Sequence, residues 1–431
     1  MITMEELQSA IKQRIDIYNN NDFPLQKRAT TTYDLLKSRN QILAQDIASP
    51  FDMPRQNVSA MDGYAIAQGS ALAKDTVIDI IGESQAGRAY TGKIETGQGV
   101  RIFTGAVVPD SCDTVIMQEN TNFSEIKDTL DKSQPYTITL KQAAQIDNNI
   151  RKQGEEIHSG EAVLSAGKRL NPTDISLLAN LGVNQVKVFQ PLTVGVLATG
   201  DELVAIGNEL TSLAQIYNSN TPTLKSLLSD LPISIRDYGI IPDNLEQTTT
   251  AIEEAMQDCD VLISTAGVSV GDYDFLTTVI ETLGQINHYK VAMKPGKPFV
   301  FGELNKRIDK PVLYFGLPGN PLSTVVGALQ FVIPALWQMS GAKLIEQPIQ
   351  LNIKATLIND VKKSAGRKDF QRGFLSQNEV GSYQVECFSG QQSHRIKQLS
   401  RANCFVVLDK DSGDVSANSM VTVQPFPWLY A

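Results

Sequence analysis

The sequence predicts a multidomain α/β protein in which helical segments carry an inserted β-rich domain, followed by a three-layer α/β domain and a small all-β tail. Three observations carry this. The chain of 431 residues is too long for a single core, and its length suggests roughly three domains. Residues 189–341 repeat short apolar strands and helical stretches, the signature of a mainly parallel sheet covered on both faces. Residues 50–147 and the segment beyond 342 lack that alternation and run with period two instead.

Taken in order, Leu7, Ile11 and Ile15 stand at helical spacing, and a second helical stretch is predicted over Tyr33 to Lys37. Residues 1–49 and 148–188 form the helical region. Residues 50–147 are rich in Gly and Thr, with short runs such as Thr76 to Ile81 and Thr114 to Met117 between turn glycines, and read as the inserted β domain. A helix follows with Asn171 or Thr173 as cap, and it ends at Gly182. In the α/β segment, Thr193 to Leu197 is a buried strand, and Thr221-Pro222 supplies a cap and a first-turn proline. Ile233 to Ile235 is the next strand, and Asp243 or Asn244 caps a helix running through Met256. Val261 to Ser264, a helix over Phe275 to Leu283, the strand Pro311 to Phe315 and a helix from Leu322 complete the pattern. In the segment 342–431, Ile349 to Ile353, Tyr383 to Cys387 and Val421 to Val423 alternate as in a small barrel or sandwich.

Composition narrows the function. Hydrophobic content of 42% and charged content of 20% are ordinary for a globular protein. The longest apolar run, Val325 to Trp337, is broken by Gly327, Gln330 and Pro334, so no membrane span is predicted. The acidic amino terminus has no signal core, which makes the cytoplasm the default. Four scattered cysteines and three isolated histidines suggest neither a zinc site nor a catalytic triad. A net charge of −9 argues against nucleic acid, yet it leaves room for a small anion in a local basic pocket.

Ligands of open α/β sheets bind beyond the carboxyl ends of the strands, and four loops fall there. Thr199-Gly200-Asp201-Glu202 offers close backbone approach beside carboxylates, although helix capping explains such a loop equally well. Thr265 to Asp274 combines Gly267, Ser269 and Gly271 with Asp272 and Asp274, a set suited to phosphate and a hard divalent cation. Leu317 to Ser323 is stiffened by two prolines, with Gly319 free in conformation and Ser323 in the first helical turn. Lys290 to Pro298 holds Lys290, Lys294 and Lys297 in a backbone fixed by Pro295, Gly296 and Pro298, a cation cluster that fits an oxyanion or pyrophosphate. In the inserted domain, Ser59 to Ile66 carries Asp62, and Arg101 to Ala106 carries Thr104 in a hydroxyl–glycine turn; each is a weak signal alone.

Together these blocks resemble the molybdopterin molybdenumtransferase family, which includes bacterial MoeA and the E domain of gephyrin. The matching segments are Ser59 to Ile66, Thr104 through Glu119, Thr199 to Leu203, Gly267 to Gly271, Lys294 to Phe299 with Gly302, Leu317 to Ser323, and Gly366-Arg367 followed by Asp369 to Gly373. They run in family order over almost the whole chain. The resemblance implies an elongated helical region, an inserted β domain, an α/β pterin-binding domain and a β-barrel tail. It implies a homodimer in which Asp62 and Thr104 face the partner's α/β domain. The implied reaction consumes adenylylated molybdopterin, molybdate and Mg2+, inserts the metal and releases AMP. The adenylyltransferase that makes the substrate and the recipient molybdoenzymes would be its partners. Matching positions imply Asp62, Thr104, Glu202, Asp243, Asp274, Lys290 and Lys294 as catalytic, with Glu202, Asp243 and Asp274 as the metal-holding acids. Gly200, Gly267, Ser269, Gly271, Lys297, Pro298, Gly319, Ser323, Arg367 and Ser393 would bind substrate. Arg55-Gln56-Asn57-Val58 and Ala266 depart from the family pattern, Ala266 replacing a frequent glycine. The competing readings are the related adenylylating enzyme, which lacks the inserted domain and β tail, and a non-catalytic pterin carrier or scaffold.

Overall fold

The computed structural model describes residues 1–22, 24, 28–131, 134–267, 275–305 and 310–429. The chain divides into two compact units. One comprises Asp46–Ser165 with Ala179–Gly182, and the other Met1–Gln45, Ala166–Leu178 and Val183–Ala431.

The smaller unit is built on a five-stranded sheet of strands Thr114–Met117, Gly63–Ile66, Gln98–Ile102, Val77–Ser84 and Tyr136–Thr139, in that order. Tyr64, Ile66, Ile78, Ile80, Ile116 and Ile138 bury one face; Ala65, Val100, Ile102 and Val115 bury the other.

The larger unit opens with the helix Met4–Ile17, started by a reciprocal capping box between Thr3 and Glu6. Its Leu7, Ile11 and Ile15 are buried at the predicted spacing. The expected second helix shrinks to a single turn, because its first two residues, Tyr33 and Asp34, end a strand. Thr30–Asp34 pairs antiparallel with Gln185–Phe189, and only Leu35–Lys37 makes a single 3-10 turn. Three consecutive β-branched threonines favour the strand there, a preference that the leucine pair after them obscured.

At the centre lies a six-stranded sheet: β1 (Leu192–Thr199), β2 (Ile233–Ile241), β3 (Val261–Thr265), β4 (Gly284–Lys290), β5 (Pro298–Leu304) and β6 (Val312–Leu317). The order is β2-β1-β3-β6-β5-β4. The first four are parallel to one another, while β5 runs antiparallel to both β6 and β4. On one face, Val194, Val196, Ile263 and Phe315 pack with helix Asn220–Leu228 and the long helix from Pro321. On the other, Leu197, Leu262 and Tyr314 pack with helices Leu245–Asp258 and Phe275–Leu283. The result is three layers.

Caps refine the expected boundaries. Asn171, rather than Thr173, accepts from the first amides of helix Pro172–Asn180. Asn244 caps the helix after β2 by accepting from the Gln247 amide. The helix expected near Thr221-Pro222 begins at Asn220, so Pro222 stands in its first turn, but Thr221 is not the cap: Asn218 Oδ1 accepts from the Thr221 amide. The apolar run becomes Pro321–Met339, a helix long and apolar enough to cross a membrane, but 83% of its most apolar 18-residue stretch is buried in the protein as a core helix. Its middle turn, Ala328–Val332, opens to π geometry just before Pro334, whose ring and missing N–H break the regular ladder.

The tail is a closed five-stranded barrel. Strands Lys368–Gln377, Tyr383–Cys387, Ile353–Leu357, Met420–Pro425 and Cys404–Leu408 pair in turn, and the last returns to the first. The alternation at Ile349 to Asn352 is not part of it: the strand starts at Ile353, and Ile349 is exposed.

Candidate active site

In chain order the strands step from β1 outward to β2, then back across to β3, so the sheet has its topological switch point between β1 and β3. The loop after β1 turns at Gly200, whose φ of +140° suits glycine alone. Glu202 folds back against it: a Cβ added at Gly200 would meet Glu202 Oε2 at 2.5 Å. Asp201 Oδ1 accepts from the Asp243 amide at 3.1 Å and so ties the loop after β1 to the loop after β2. Burial holds the Asp243 carboxyl above its ordinary range, and the charges of Asp201 and Glu202 push the same way. Glu202 thus lies close enough for its charge to act on Asp243, and Asp201, part of the same carboxylate loop but outside the implied catalytic set, joins them through the Asp243 amide. The remaining predicted acid, Asp274, lies outside the described residues, as do Ser269 and Gly271. Among the described residues no group of three or more His, Cys, Asp or Glu side chains is arranged to hold a metal ion.

After β3 the backbone enters the left-handed region at two successive residues, Ala266 (φ +70°) and Gly267 (φ +65°). The Ala266 amide donates to Leu317 O at 3.0 Å, which seats this turn beside the loop after β6. Gly319 faces it so closely that an added Cβ would stand 3.4 Å from Ala266 Cβ. Two bonds lock the Gly319 loop: Thr324 Oγ1 donates to Pro318 O, and Asn220 Nδ2 donates to Gly319 O, each at 2.7 Å. Ser323 is buried in the helix below.

The basic loop lies at the same edge of the sheet, because β4 ends and antiparallel β5 begins there. Lys290 pairs with Pro298, and Val300 pairs with Gly316 at the end of β6. The connection is not a plain loop. Met293–Lys294 pairs parallel with Lys368–Asp369 of the barrel, bringing Lys294 next to the segment that begins at Arg367. Lys294 Nζ lies 3.4 Å from Oδ2 of the buried Asp369, and Lys297 is exposed. Gly296, at φ +98°, makes the turn between them. No hydrogen bond or ion pair among the described residues links Ser393 to these cations. Its loop is instead organised by Arg372, fully buried, which donates to the carbonyls of Gly390, Gln392 and Arg395 and to Gln391 Oε1. Arg372 lies within the Asp369 to Gly373 motif, where the sequence alone assigns it no role.

Within the smaller unit, Asp62 and Thr104 meet at the exposed end of the sheet. The Thr104 amide and Oγ1 both donate to Asp62 Oδ1, holding this carboxyl below its ordinary range. Gly105, at φ +79°, turns the chain immediately after.

Three family models match the chain: the MoeA N-terminal region (domain I and II) over residues 2–182, a probable molybdopterin binding domain over 195–338, and the MoeA C-terminal region (domain IV) over 354–426. Over 429 residues the chain is 39% identical to a molybdopterin molybdenumtransferase of Haemophilus influenzae, covering 100% of both chains. The chain belongs to the molybdopterin molybdenumtransferase family. Another member, from Staphylococcus epidermidis, is 32% identical over 97% of this chain and 94% of its own. Among solved structures, a molybdopterin biosynthesis moeA protein from Pyrococcus horikoshii OT3 superposes with a TM-score of 0.78 at 24% identity, covering 99% of this chain and 100% of that one, and so shares the fold. Membership makes this chain an enzyme of the transferase class.

Proposed function

We propose that the chain inserts molybdate into adenylylated molybdopterin and releases AMP, forming the molybdenum cofactor. The observation that carries this is the division of one sheet edge into two electrostatic halves. The acids Asp201, Glu202 and Asp243 gather after β1 and β2, and the cations Lys290, Lys294 and Lys297 gather between β4 and β5. A substrate with a phosphoanhydride and a metal oxyanion needs both. Lys294, Lys297 and Arg367 attract the molybdate dianion, and Ser323 with backbone amides near Gly319 orients it. Gly200, Gly267 and Gly319 allow the chain to approach the ligand closely.

The donor chemistry also fits Mg2+, which binds through one or two carboxylates and keeps water and phosphate oxygens as its other ligands. Glu202 and Asp243 would hold it, together with Asp274, and the like-charge repulsion at Asp243 is what a bound cation relieves. When bound, the ion neutralises charge developing on the phosphoanhydride.

Asp62 and Thr104 complete the site from a second copy in a homodimer. The four-part division at residues 49/50, 147/148, 188/189 and 341/342 belongs to the same proposal. The enzyme works in the cytoplasm, takes its substrate from the adenylyltransferase and passes its product to recipient molybdoenzymes. A carrier or scaffold has no need of clustered, mutually repelling acids, and is disfavoured on that ground.

AMP release from adenylylated molybdopterin is the test, measured with magnesium and with or without molybdate. Molybdate-dependent release and molybdenum in the pterin product are the expected results. Tight pterin binding without release, where a known transferase is active, would overturn the proposal in favour of a carrier.

A further inference from the structure

Two buried polar atoms near this edge have no hydrogen-bond partner among the described residues: Asn220 Oδ1 and Thr265 Oγ1. Asn220 is 8% exposed and Thr265 1%. Both belong to the same side of the sheet. Along β3, Thr265 shares a face with Val261 and Ile263, which pack with Leu224 and Leu228 of the helix that Asn220 begins. Asn220 Nδ2 is committed to Gly319 O at 2.7 Å, which fixes Oδ1 as the open atom. That oxygen is an acceptor only, whereas the Thr265 hydroxyl can also donate.

A buried acceptor left unpaired is costly, and most buried polar groups find partners. Asn220 Oδ1 is satisfied by an N–H or O–H donor or by a cation, and the one cation of the proposed reaction is assigned to the acids after β1 and β2. Molybdate and ionised phosphate present acceptors and would be repelled by it. The substrate's rings are different: a pterin amide edge sets N–H beside C=O, and adenine sets an amino group beside a ring nitrogen.

We infer that Asn220 and Thr265 bind a donor–acceptor edge of the substrate's heterocycle, Asn220 accepting and Thr265 donating. The inference rests on the function proposed above and adds the residues that read the ring. Asn220 therefore has two tasks, tethering the Gly319 loop and meeting the ligand. Gly319, whose carbonyl Asn220 holds, stands against Ala266, the residue after Thr265, so the two side chains belong to the same pair of facing loops.

Thr265→Val tests this without disturbing the tether. Valine keeps the shape and removes an unpaired hydroxyl, so the melting temperature is expected to stay level or rise. Affinity for adenylylated molybdopterin, measured by calorimetry, is expected to fall about tenfold, the loss of one buried hydrogen bond. Thr265→Ser is expected to restore it. Parallel titrations with AMP alone and with molybdopterin lacking the adenylyl group identify the ring: the probe that loses affinity in Thr265→Val carries the edge. Wild-type binding that the valine variant matches for all three ligands would overturn the inference and leave the transferase proposal standing. A wild type that binds none of the three would overturn both.

Discussion

Thr104 donates two hydrogen bonds, one from its backbone N–H and one from Oγ1, to the same oxygen of Asp62, each at 2.8 Å. An exposed carboxylate is rarely aimed this firmly, and both bonds favour its ionised form. Thr104→Val keeps the backbone bond and loses the other, so the Asp62 pKa is expected to rise toward the ordinary value of about 3.9. The sign follows from linkage. A carboxyl with a depressed folded pKa adds stability above its unfolded value, and that contribution is lost as pH falls through the folded value. Carbon-13 NMR titration of the Asp62 carboxyl reads the shift directly, and identical curves in the two proteins would show that Oγ1 does nothing. If Asp62 moves a proton in the reaction, Asp62→Asn should lower turnover by about 100-fold or more.

Asp243 has the opposite sign. Burial first, then the charges of Asp201 and Glu202, raises its pKa. Between the unfolded and folded values the folded protein binds more protons, so stability falls as pH rises through that window. Asp243→Asn removes this penalty. At pH 7 without divalent cation the variant is expected to melt higher than the wild type, and the difference should shrink toward the ordinary aspartate value of about pH 3.9. Added magnesium should raise the wild-type melting temperature more than that of the variant. A variant that melts lower at pH 7 would mean that Asp243 is held by favourable contacts instead.

Lys294 and Lys297 differ by three positions in sequence but not in kind, and the structure separates them. Lys294 neutralises Asp369, a carboxylate with a side chain only 4% exposed, while Lys297 has no ion pair among the described residues. Lys294→Ala leaves that carboxylate buried with a hydrogen bond from Gln371 alone, and should cost about 1 kcal/mol once the lysine's own exposure is allowed for. Lys297→Ala should leave urea stability unchanged. Both should weaken molybdate binding by about tenfold or more, since each removes a cation from the same loop. Equal stability in the two variants would show that the Lys294–Asp369 contact is incidental.

Much of this was legible because it is local. Leu7, Ile11 and Ile15 announce a buried helix face, and strands such as Val261 to Ser264 are apolar enough to be read directly. Glycines at 200, 267 and 319 mark the loops at the sheet edge through backbone chemistry, which a sequence carries on its surface. Relations between distant segments were not legible. Nothing near Lys294 foretells that it pairs with the barrel at Asp369, and β4 and β5 hid behind a run of Lys, Pro and Gly that reads as a loop. Arg372 looks like a surface charge until the carbonyls of Gly390, Gln392 and Arg395 close around it.

Ala266 allows the sharpest test of local strain. It adopts φ +70°, where the Cβ of an L-residue crowds the backbone at a cost of about 1–2 kcal/mol. Ala266→Gly removes that crowding, but glycine returns conformational freedom to the unfolded chain, about 0.4–1 kcal/mol in the other direction. The strain is the larger effect, so the variant should be more stable by roughly 0.5 kcal/mol in urea. The same methyl stands against Gly319, so its removal also clears space between the two loops. KM for adenylylated molybdopterin should therefore hold level or fall. A rise in KM with the stability gain intact would mean that the methyl orders the substrate loops, and that the strain at this position serves binding.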